Sequence, residues 1–295
     1  MWMSPKTNPK CPACGAGSWK VGFSQSKRRV YKCSSCGKKF NERAGTPFHG
    51  LHFPDGDALM GAILYAKYPL SSYDVAEIMG FNGVEVSHAT ICGWQPRFAR
   101  YTRTIAKKYK IKFSRVWHVD EKFVPHKRVP SKRKRRGKRK WLYQISIVDS
   151  KGKVIASYLA PERSTKAIRK ALKRAKVEAK FSPDIVVTDD YPAYKRGVKV
   201  LGRRTKHVTA HFEGKFIPYG KGVLLLSNNR IERYHSEIAP KIRSMRGVKN
   251  RRKGDSFFQF YRCVHNFLRR DTLPALLSKF KIKPTWNGLA KLFYP

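Results

Sequence analysis

The sequence predicts an α/β protein in which a small cysteine-rich module and a helical region precede a mixed α/β domain. Two CxxC pairs fall within the first 45 residues. Helical periodicity follows over residues 53–101, and from residue 115 onward short apolar and alternating runs typical of strands replace it. The predicted divisions are residues 1–45, 50–108 and 112–272, with a C-terminal extension over 273–295.

The composition indicates a nucleic-acid partner. The 295 residues include 64 Lys and Arg against 19 Asp and Glu, which gives a net charge of +45 at pH 7. Such a charge attracts polyanions and makes binding to DNA or RNA strongly salt-dependent. Ribosomal proteins and histones are also very basic, but 41% hydrophobic residues can form a substantial core and exclude a disordered tail protein. Because no apolar run could span a bilayer and the amino terminus lacks a signal-peptide stretch, we expect a soluble intracellular protein without a membrane partner.

The first module has the ligand spacing of a zinc ribbon. Its four cysteines are Cys11, Cys14, Cys33 and Cys36. A glycine follows each CxxC pair. Two tight turns can each offer two thiolates, and a tetrahedral Zn²⁺ then replaces the core that so short a segment cannot build. Disulfides are the alternative, which an intracellular setting disfavours. Cys92 and Cys263 stand alone in apolar surroundings and are expected to be buried packing residues.

The helical region has the layout of a helix-turn-helix. Residues 70–80 contain a capping serine, an amphipathic stretch and a terminating glycine, and Ser87 is placed to cap the next helix. The second helix of such a motif enters the major groove of DNA. The predicted DNA contacts at its start are Ser87, His88 and Thr90. Any small helical bundle contains similar pairs, however, and there Ile91 and Trp94 would be core while Thr90 would be merely exposed.

The third division alternates strands with a helix. The predicted elements are three antiparallel strands over residues 115–124, 141–149 and 154–159, a helix over 164–179, and a short buried strand over 184–189. This order is that of the ribonuclease-H-like fold, in which the first and fourth strands lie side by side. It would bring Asp120 and Asp189 together at the centre of the sheet.

Three acidic residues stand out in this basic chain. Asp120 and Asp189 each end an apolar strand, and Glu232 falls in the first turns of a predicted helix. Three carboxylates brought together would repel one another, so divalent cations are their natural partner. Singly, Asp120 could be a strand-end cap, Asp189 a helix cap, and Glu232 part of a surface pair with Arg233. Jointly the three indicate metal-dependent chemistry on nucleic acid.

Several motifs in the same order resemble DDE transposases of prokaryotic insertion sequences, in the group whose core is called an integrase catalytic region. The matching stretches are residues 117–121 (WHVDE), 141–143 (WLY), 148–149 (VD), 188–189 (TD), 193–194 (AY) and 228–232 (NNRIE), followed by His235, Arg243, Met245, Gly247 and Lys249. Upstream, residues 68–71 and 86–94 resemble the helix-turn-helix of that group. The resemblance covers about residues 53–270, most of the chain.

The resemblance implies a role for each acidic residue. Asp120, Asp189 and Glu232 would hold two Mg²⁺ or Mn²⁺ ions, one activating a water or a DNA 3′-hydroxyl and the other stabilising the leaving 3′ oxygen. No covalent protein intermediate is needed. The partner would be double-stranded DNA, at the element ends and at the target. Because two ends must be held at once, we expect a homo-oligomer on DNA, in the cytoplasm and associated with the nucleoid.

Two of the acidic residues have an adjacent rival. Glu121 follows Asp120 and, by strand alternation, should point to the opposite face of the sheet. Asp190 follows Asp189 where many relatives have Gly, and is the more serious competitor. On the last predicted helix, Asn229, Glu232 and His235 recur every three residues and share a face.

Further DNA contacts are predicted around the core. Residues 127–140 hold ten Lys or Arg, which favours a flexible loop that grips the DNA backbone, although such runs are usually solvated faces. The predicted contacts are Lys132, Arg133, Lys134, Arg135 and Arg136 in this loop, with Asn229, Arg230 and His235 on the helix. Asn229 and His235 could instead orient Glu232, cap the helix or lie at the surface. Pro240 should kink that helix or end it near Ala239.

Two other classes of function stay open at this stage. The chain could be a non-catalytic DNA-binding regulator, or a metal-dependent nuclease that hydrolyses DNA without joining it. The sequence also predicts a C-terminal helix with a broad aromatic face, which could mediate oligomerisation or complete the core. Its residues are Phe257, Phe258, Phe260, Tyr261, Val264, Phe267 and Leu268.

Overall fold

A computed structural model describes residues 8–25, 27–109, 111–127, 141–210, 214–220 and 222–294. The described chain divides into two compact units. One comprises the residues up to Met60 together with Lys281 onward, and the other is Gly61–Phe280. The four-part division expected from the sequence stays a prediction, but the last residues belong with the amino-terminal unit.

The first unit contains a small antiparallel sheet. Its strands are β1 (Ser18–Phe23), β2 (Arg29–Cys33) and β3 (Lys39–Asn41). Tyr31 and Phe40 stack at 5.9 Å between ring centroids on its buried side. In the C-terminal residues, α9 (Trp286–Ala290) precedes a 3₁₀ turn (Lys291–Phe293), and the Tyr294 ring stacks on Phe48 at 5.7 Å.

Three helices follow the small sheet. They are α1 (Asp55–Lys67), α2 (Ser72–Phe81) and α3 (His88–Tyr109). Ser71 caps α2 in a capping box with Asp74, because each side chain accepts a hydrogen bond from the other residue's backbone N–H. The helix ends one residue beyond Gly80, and Asn82 is its C-cap. Ile91 and Trp94 are buried, as expected for core positions.

The central sheet of the second unit has five strands. They are β4 (Val116–Pro125), β5 (Trp141–Asp149), β6 (Val154–Ala160), β7 (Ile185–Thr188) and β8 (Lys206–Thr209), in the order β6-β5-β4-β7-β8. The first three are antiparallel, whereas β7 pairs in parallel with both β4 and β8. The prediction that the first and fourth strands lie side by side is confirmed. This is a mixed α/β fold with a mixed sheet.

Apolar side chains cover both faces of this sheet. On one face, Trp117, Val119 and Ile147 pack against α4 (Thr165–Ala179) and α5 (Pro192–Val198), which precedes a 3₁₀ turn (Lys199–Leu201). On the other, Val116, Ile185 and Val187 pack with residues of the hairpin β9 (Lys215–Tyr219) and β10 (Gly222–Leu226). α6 (Asn229–Ser244) packs on β4 and β5.

The remaining helices complete the second unit. α7 (Arg251–Phe267) packs against β6 and α3, and α8 (Leu273–Lys279) follows it. The aromatic residues of α7 from Phe257 to Tyr261 are buried, so this part of the face belongs to the core, while Phe267 and Leu268 are half-buried. Within the described residues, no helix combines the length and apolar character needed to cross a bilayer.

Two expectations about single residues need correction. Cys263 is buried as predicted, but Cys92 is exposed, because it falls on the outward side of α3 next to Ile91. α6 does not end near Ala239. It continues through Pro240 to Ser244, because buried residues at Ile238, Lys241 and Ile242 hold its last turns against the unit.

Candidate active site

Three carboxylates gather at the carboxyl end of β7. Asp120, Glu121 and Asp189 each place an oxygen within 4.8 Å of the others. Asp189 follows the last residue of β7, and β7 pairs with β4 only from Val116 to His118. The edge of β4 beyond His118 is therefore free of β7, and side chains from both faces of β4 can reach the space above Asp189. Such a carboxylate group is suited to hold a divalent cation.

Glu121 belongs to this cluster although strand alternation separates it from Asp120. It lies on the α4 side with Trp117 and Val119, as alternation predicts. The expectation that this would keep it away from the site is wrong, since its side chain reaches over the open edge of β4. The Glu121 side chain is only 3% exposed. Burial raises the pKa of Glu121 to about 7, and the Asp120 and Asp189 charges act in the same direction.

Arg163 and Tyr194 complete the environment of Glu121. The Tyr194 hydroxyl donates to Glu121 Oε2, and Arg163 Nε contacts Glu121 Oε1. Arg163 Nη2 also donates to Asp189 Oδ2 at 3.0 Å. Tyr194 belongs to one of the motifs that resemble the DDE transposases, but no pattern in the sequence indicates Arg163. It lies in the connection between β6 and α4, which the order of elements does not place near the acidic residues.

Asp120 is oriented from the other face of the sheet. His235 Nδ1 lies 3.5 Å from Asp120 Oδ2, and the histidine side chain is only 2% exposed. The suggestion that His235 is a surface histidine is wrong. Its burial favours orientation of a carboxylate over contact with a phosphate, and that carboxylate is Asp120 rather than Glu232.

The remaining predicted residues lie around this cluster. Glu232 is half-buried in the first turn of α6 and is not a member of the cluster. Asp190 is exposed and also lies outside it. Asn229 and Arg230 are exposed, and the N-cap of α6 is Asn228 rather than Asn229. The basic residues Lys132, Arg133, Lys134, Arg135 and Arg136 fall outside the described residues.

The four cysteines of the first unit form a second cluster of ligands. Their sulfur atoms lie within 4.8 Å of one another, and Sγ–Sγ distances are 3.4 Å for Cys14–Cys33 and 3.7 Å for Cys11–Cys36. Four thiolates each about 2.3 Å from a tetrahedral ion are roughly 3.8 Å apart, so the arrangement fits such an ion. Backbone N–H groups of Cys36 and Ser35 lower the pKa of the Cys33 thiol to about 6, which favours the thiolate form that binds metal.

The start of α3 carries the residues predicted to contact DNA. Ser87 Oγ accepts a hydrogen bond from the Thr90 N–H at 3.2 Å, so Ser87 caps the helix as expected. The exposed His88 ring stacks on Tyr73 with 4.1 Å between centroids. DNA contact by these residues stays a prediction.

Comparison with known proteins decides what kind of site this is. A family model for the DDE domain of IS240-type transposases matches residues 114–271, which include the whole acidic cluster and more than half of the chain. The chain belongs to the DDE transposases of prokaryotic insertion sequences. As a DDE transposase it is a polynucleotidyl transferase that cuts DNA and transfers the strand, and it uses divalent metal.

Two curated relatives match this DDE transposase at moderate identity. The transposase for insertion sequence-like element IS431mec from Staphylococcus aureus is 27% identical over 194 residues, which are 64% of this chain and 77% of the relative. The transposase for IS257 in transposon Tn4003, also from Staphylococcus aureus, matches to the same extent. Among solved structures, the Drosophila P element transposase strand transfer complex aligns with a TM-score of 0.35 at 10% identity, covering 85% of this chain and 66% of that one. A TM-score of this size does not establish a common fold.

Proposed function

We propose that this transposase performs cleavage and strand transfer at the carboxyl end of β7, with Asp120, Asp189 and Glu232 holding two Mg²⁺ or Mn²⁺ ions. The observation that carries the proposal is the approach of Asp120 and Asp189 within a cluster of three carboxylate oxygens. The predicted ribonuclease-H-like fold is supported by the order of the five strands, in which β4, which carries Asp120, lies parallel to β7, which Asp189 directly follows. Bound there, the ions would activate the attacking hydroxyl and stabilise the leaving oxygen.

The residues around the cluster have separate tasks in this proposal. His235 fixes the orientation of Asp120 from the α6 side, where it lies 3.5 Å from that carboxylate. Glu232 precedes His235 by three residues, so the two side chains share one side of α6, and Glu232 would complete the set of metal ligands. Asn229 and Arg230 would meet DNA phosphates, which their exposure at the start of α6 supports.

The first unit would contribute a zinc ribbon. The sulfur spacing and the N–H groups donating to Cys33 support Zn²⁺ as the ion of the four cysteines. The helix-turn-helix is supported by α2 and α3, whose short connection ends at the capped and exposed start of α3. Both parts would bind double-stranded DNA, the helix-turn-helix through its second helix.

The test is an assay on the DNA that flanks the gene of this protein. Incubation with such a duplex and Mn²⁺ should yield a nick or break at the element end and then a product joined to a second DNA. Cleavage without a joined product would indicate a nuclease. Binding without cleavage at any Mn²⁺ concentration would contradict the proposal and indicate a regulator.

A further inference from the structure

The guanidinium of Arg163 contacts two of the three carboxylates, those of Glu121 and Asp189. Arg163 contacts Glu121 through Nε and donates to Asp189 Oδ2 through Nη2 at 3.0 Å. Its guanidinium lies 3.6 Å from the centre of the Tyr191 ring, and the Tyr191 hydroxyl donates back to the Arg163 carbonyl at 2.9 Å. The Tyr191 N–H donates to Asp189 Oδ1 at 3.1 Å. Both oxygens of Asp189 therefore accept hydrogen bonds from these two residues.

Burial separates the roles of the two carboxylates that Arg163 contacts. The side chain of Glu121 is 3% exposed, whereas that of Asp189 is 34% exposed. Tyr194 and Arg163 occupy the two oxygens of Glu121. Asp189 is therefore the more accessible of the two carboxylates to a hydrated ion. Glu121 is thus the more buried of the two partners of Arg163.

We propose that Arg163, anchored by Glu121 and Tyr191, is a positioning residue that fixes the carboxylate of Asp189 for metal binding. Three carboxylates so close together repel one another, and one guanidinium between two of them offsets part of that repulsion. The planar fork of Arg163 also sets the direction in which Asp189 presents its oxygens. The proposal rests on the assignment of Asp189 as a metal ligand, and it places Glu121 behind Arg163 rather than on the ion.

The chain offers a matched control for Arg163. Arg174 makes an ion pair of similar length with Asp255, 3.1 Å, and its side chain is 26% exposed against 29% for Arg163. It also lies over an aromatic ring, that of Tyr158, at 5.0 Å. Arg174→Gln removes a comparable interaction at a residue that makes no contact with the acidic cluster. A loss of cleavage rate that Arg163→Gln and Arg174→Gln share would indicate that both variants only destabilise the fold.

The experiment compares Arg163→Gln, Arg163→Lys and Arg174→Gln in the full chain. The cleavage rate at saturating Mn²⁺ should fall roughly 10- to 100-fold in Arg163→Gln, as for other residues that orient a metal ligand. Its Mn²⁺ affinity, measured by calorimetry without DNA, should fall by less than that of Asp120→Asn, because removal of a positive charge beside the ion offsets part of the lost orientation of Asp189. Arg163→Lys should recover part of the rate. Arg174→Gln should keep both values and lose only thermal stability.

Glu121→Gln tests the second half of the proposal. It should resemble Arg163→Gln in rate and Mn²⁺ affinity, and the double variant should be little worse than either single one, because the two residues act in one chain of contacts. A loss of Mn²⁺ affinity equal to that of Asp120→Asn would make Glu121 a ligand and overturn the proposal. So would a wild-type rate in Arg163→Gln. If Asp120→Asn itself still cleaves DNA, the assignment of the active site fails instead, which is a different result.

Discussion

Asp120 is the residue on which the proposed chemistry depends most directly. Replacing it with Asn removes a metal ligand yet leaves the basic surface unchanged. We therefore expect Asp120→Asn to abolish cleavage of an element-end duplex while its DNA dissociation constant, measured by fluorescence anisotropy, changes less than about twofold. Asp190→Asn is the control, since Asp190 is exposed and outside the cluster. If Asp190→Asn lost activity and Asp120→Asn kept it, the ligand assignment would be wrong.

Lys241 offers a residue-scale test of the packing of α6. It is only 1% exposed, its Nζ donates to the Leu70 carbonyl at 2.8 Å, and it lies 4.2 Å from the centre of the Tyr65 ring. Burial lowers the pKa of Lys241 to about 8. Between pH 8 and the unfolded value of 10.5, the unfolded chain binds more protons, so stability rises with pH in that window and is lost as pH falls through it.

The size of this effect follows from the pKa difference. It amounts to on the order of 3 kcal/mol across the window. Relative to Lys241→Met, the wild-type free energy of unfolding should therefore increase between pH 8 and pH 10.5 in urea titrations. Taking the difference between the two proteins cancels the tyrosines and other lysines that titrate in the same range. Parallel pH profiles would show that Lys241 is not buried as described.

The sequence predicted that Asp120 and Asp189 would lie close together, but it did not predict which residues would contact them. The order of the strands determines which strands are neighbours, and it brings the two aspartates together. Asp189 directly follows β7 as expected, but Asp120 does not end its strand: it lies within β4, two residues past the last position that pairs with β7. Arg163 could not be foreseen, because it lies in a connection whose path no periodicity describes. The prediction for Glu121 was wrong because strand alternation gives only the face of the sheet on which a residue lies. The position of its carboxylate oxygens also depends on the length of the side chain and on where the neighbouring strand β7 stops pairing with β4.

Among the elements, the proposed zinc ribbon is expected to depend most on a bound ion. Cys33 is almost fully buried among the other ligands, and the apolar residues around it are few. Cys33→Ser should release zinc and unfold about the first 45 residues while Gly61–Phe280 stays folded. Zinc content by mass spectrometry and far-UV circular dichroism melting would measure this. A single melting transition for the whole chain, or retention of zinc, would contradict it.

The cap of α2 gives a smaller effect with a close control. Ser71 accepts a hydrogen bond from the Asp74 N–H at 3.2 Å, and its own N–H donates to the Asp74 carboxylate at 2.7 Å. Ser71→Ala should lower the free energy of unfolding by about 1 kcal/mol. Ser72→Ala changes the neighbouring serine, which is not the cap, and should have a smaller effect. Equal losses in chemical denaturation would show that the capping box contributes nothing.

The end of α6 is a feature that the local sequence does not predict correctly. A proline lacks the backbone N–H of a helix interior, which predicts a kink or an end near Ala239. The helix nevertheless continues to Ser244, because Ile238 and Ile242 are buried on the side that faces the sheet. Packing of an amphipathic face outweighs the loss of one hydrogen bond. Helix propensity alone does not predict this continuation, because the packing that stabilises the last turns involves residues elsewhere in the chain.

For the whole molecule, the broad aromatic face of α7 gives a similar lesson. From the sequence it exceeded what one packed side would use. In the structure α7 packs on β6 and also on α3, where the Phe98 and Phe260 rings lie 6.2 Å apart. Two packed sides use the aromatic residues, so the face gives no reason to expect a dimer. The remaining reason to expect an oligomer is that the reaction acts on two element ends.

Transposition joins two element ends, and one acidic cluster per chain serves one strand at a time. Cleaving both ends together therefore requires at least two copies, and we expect a dimer or larger assembly on DNA. With a net charge of +45, copies repel one another in solution, and duplex phosphates would offset that repulsion. Sedimentation velocity should thus show one copy of the free protein and two or more with an end-containing duplex and Ca²⁺ or Mn²⁺. A duplex of unrelated sequence is the control for non-specific coating. One copy per duplex, under conditions in which both ends are joined to target, would exclude the assembly.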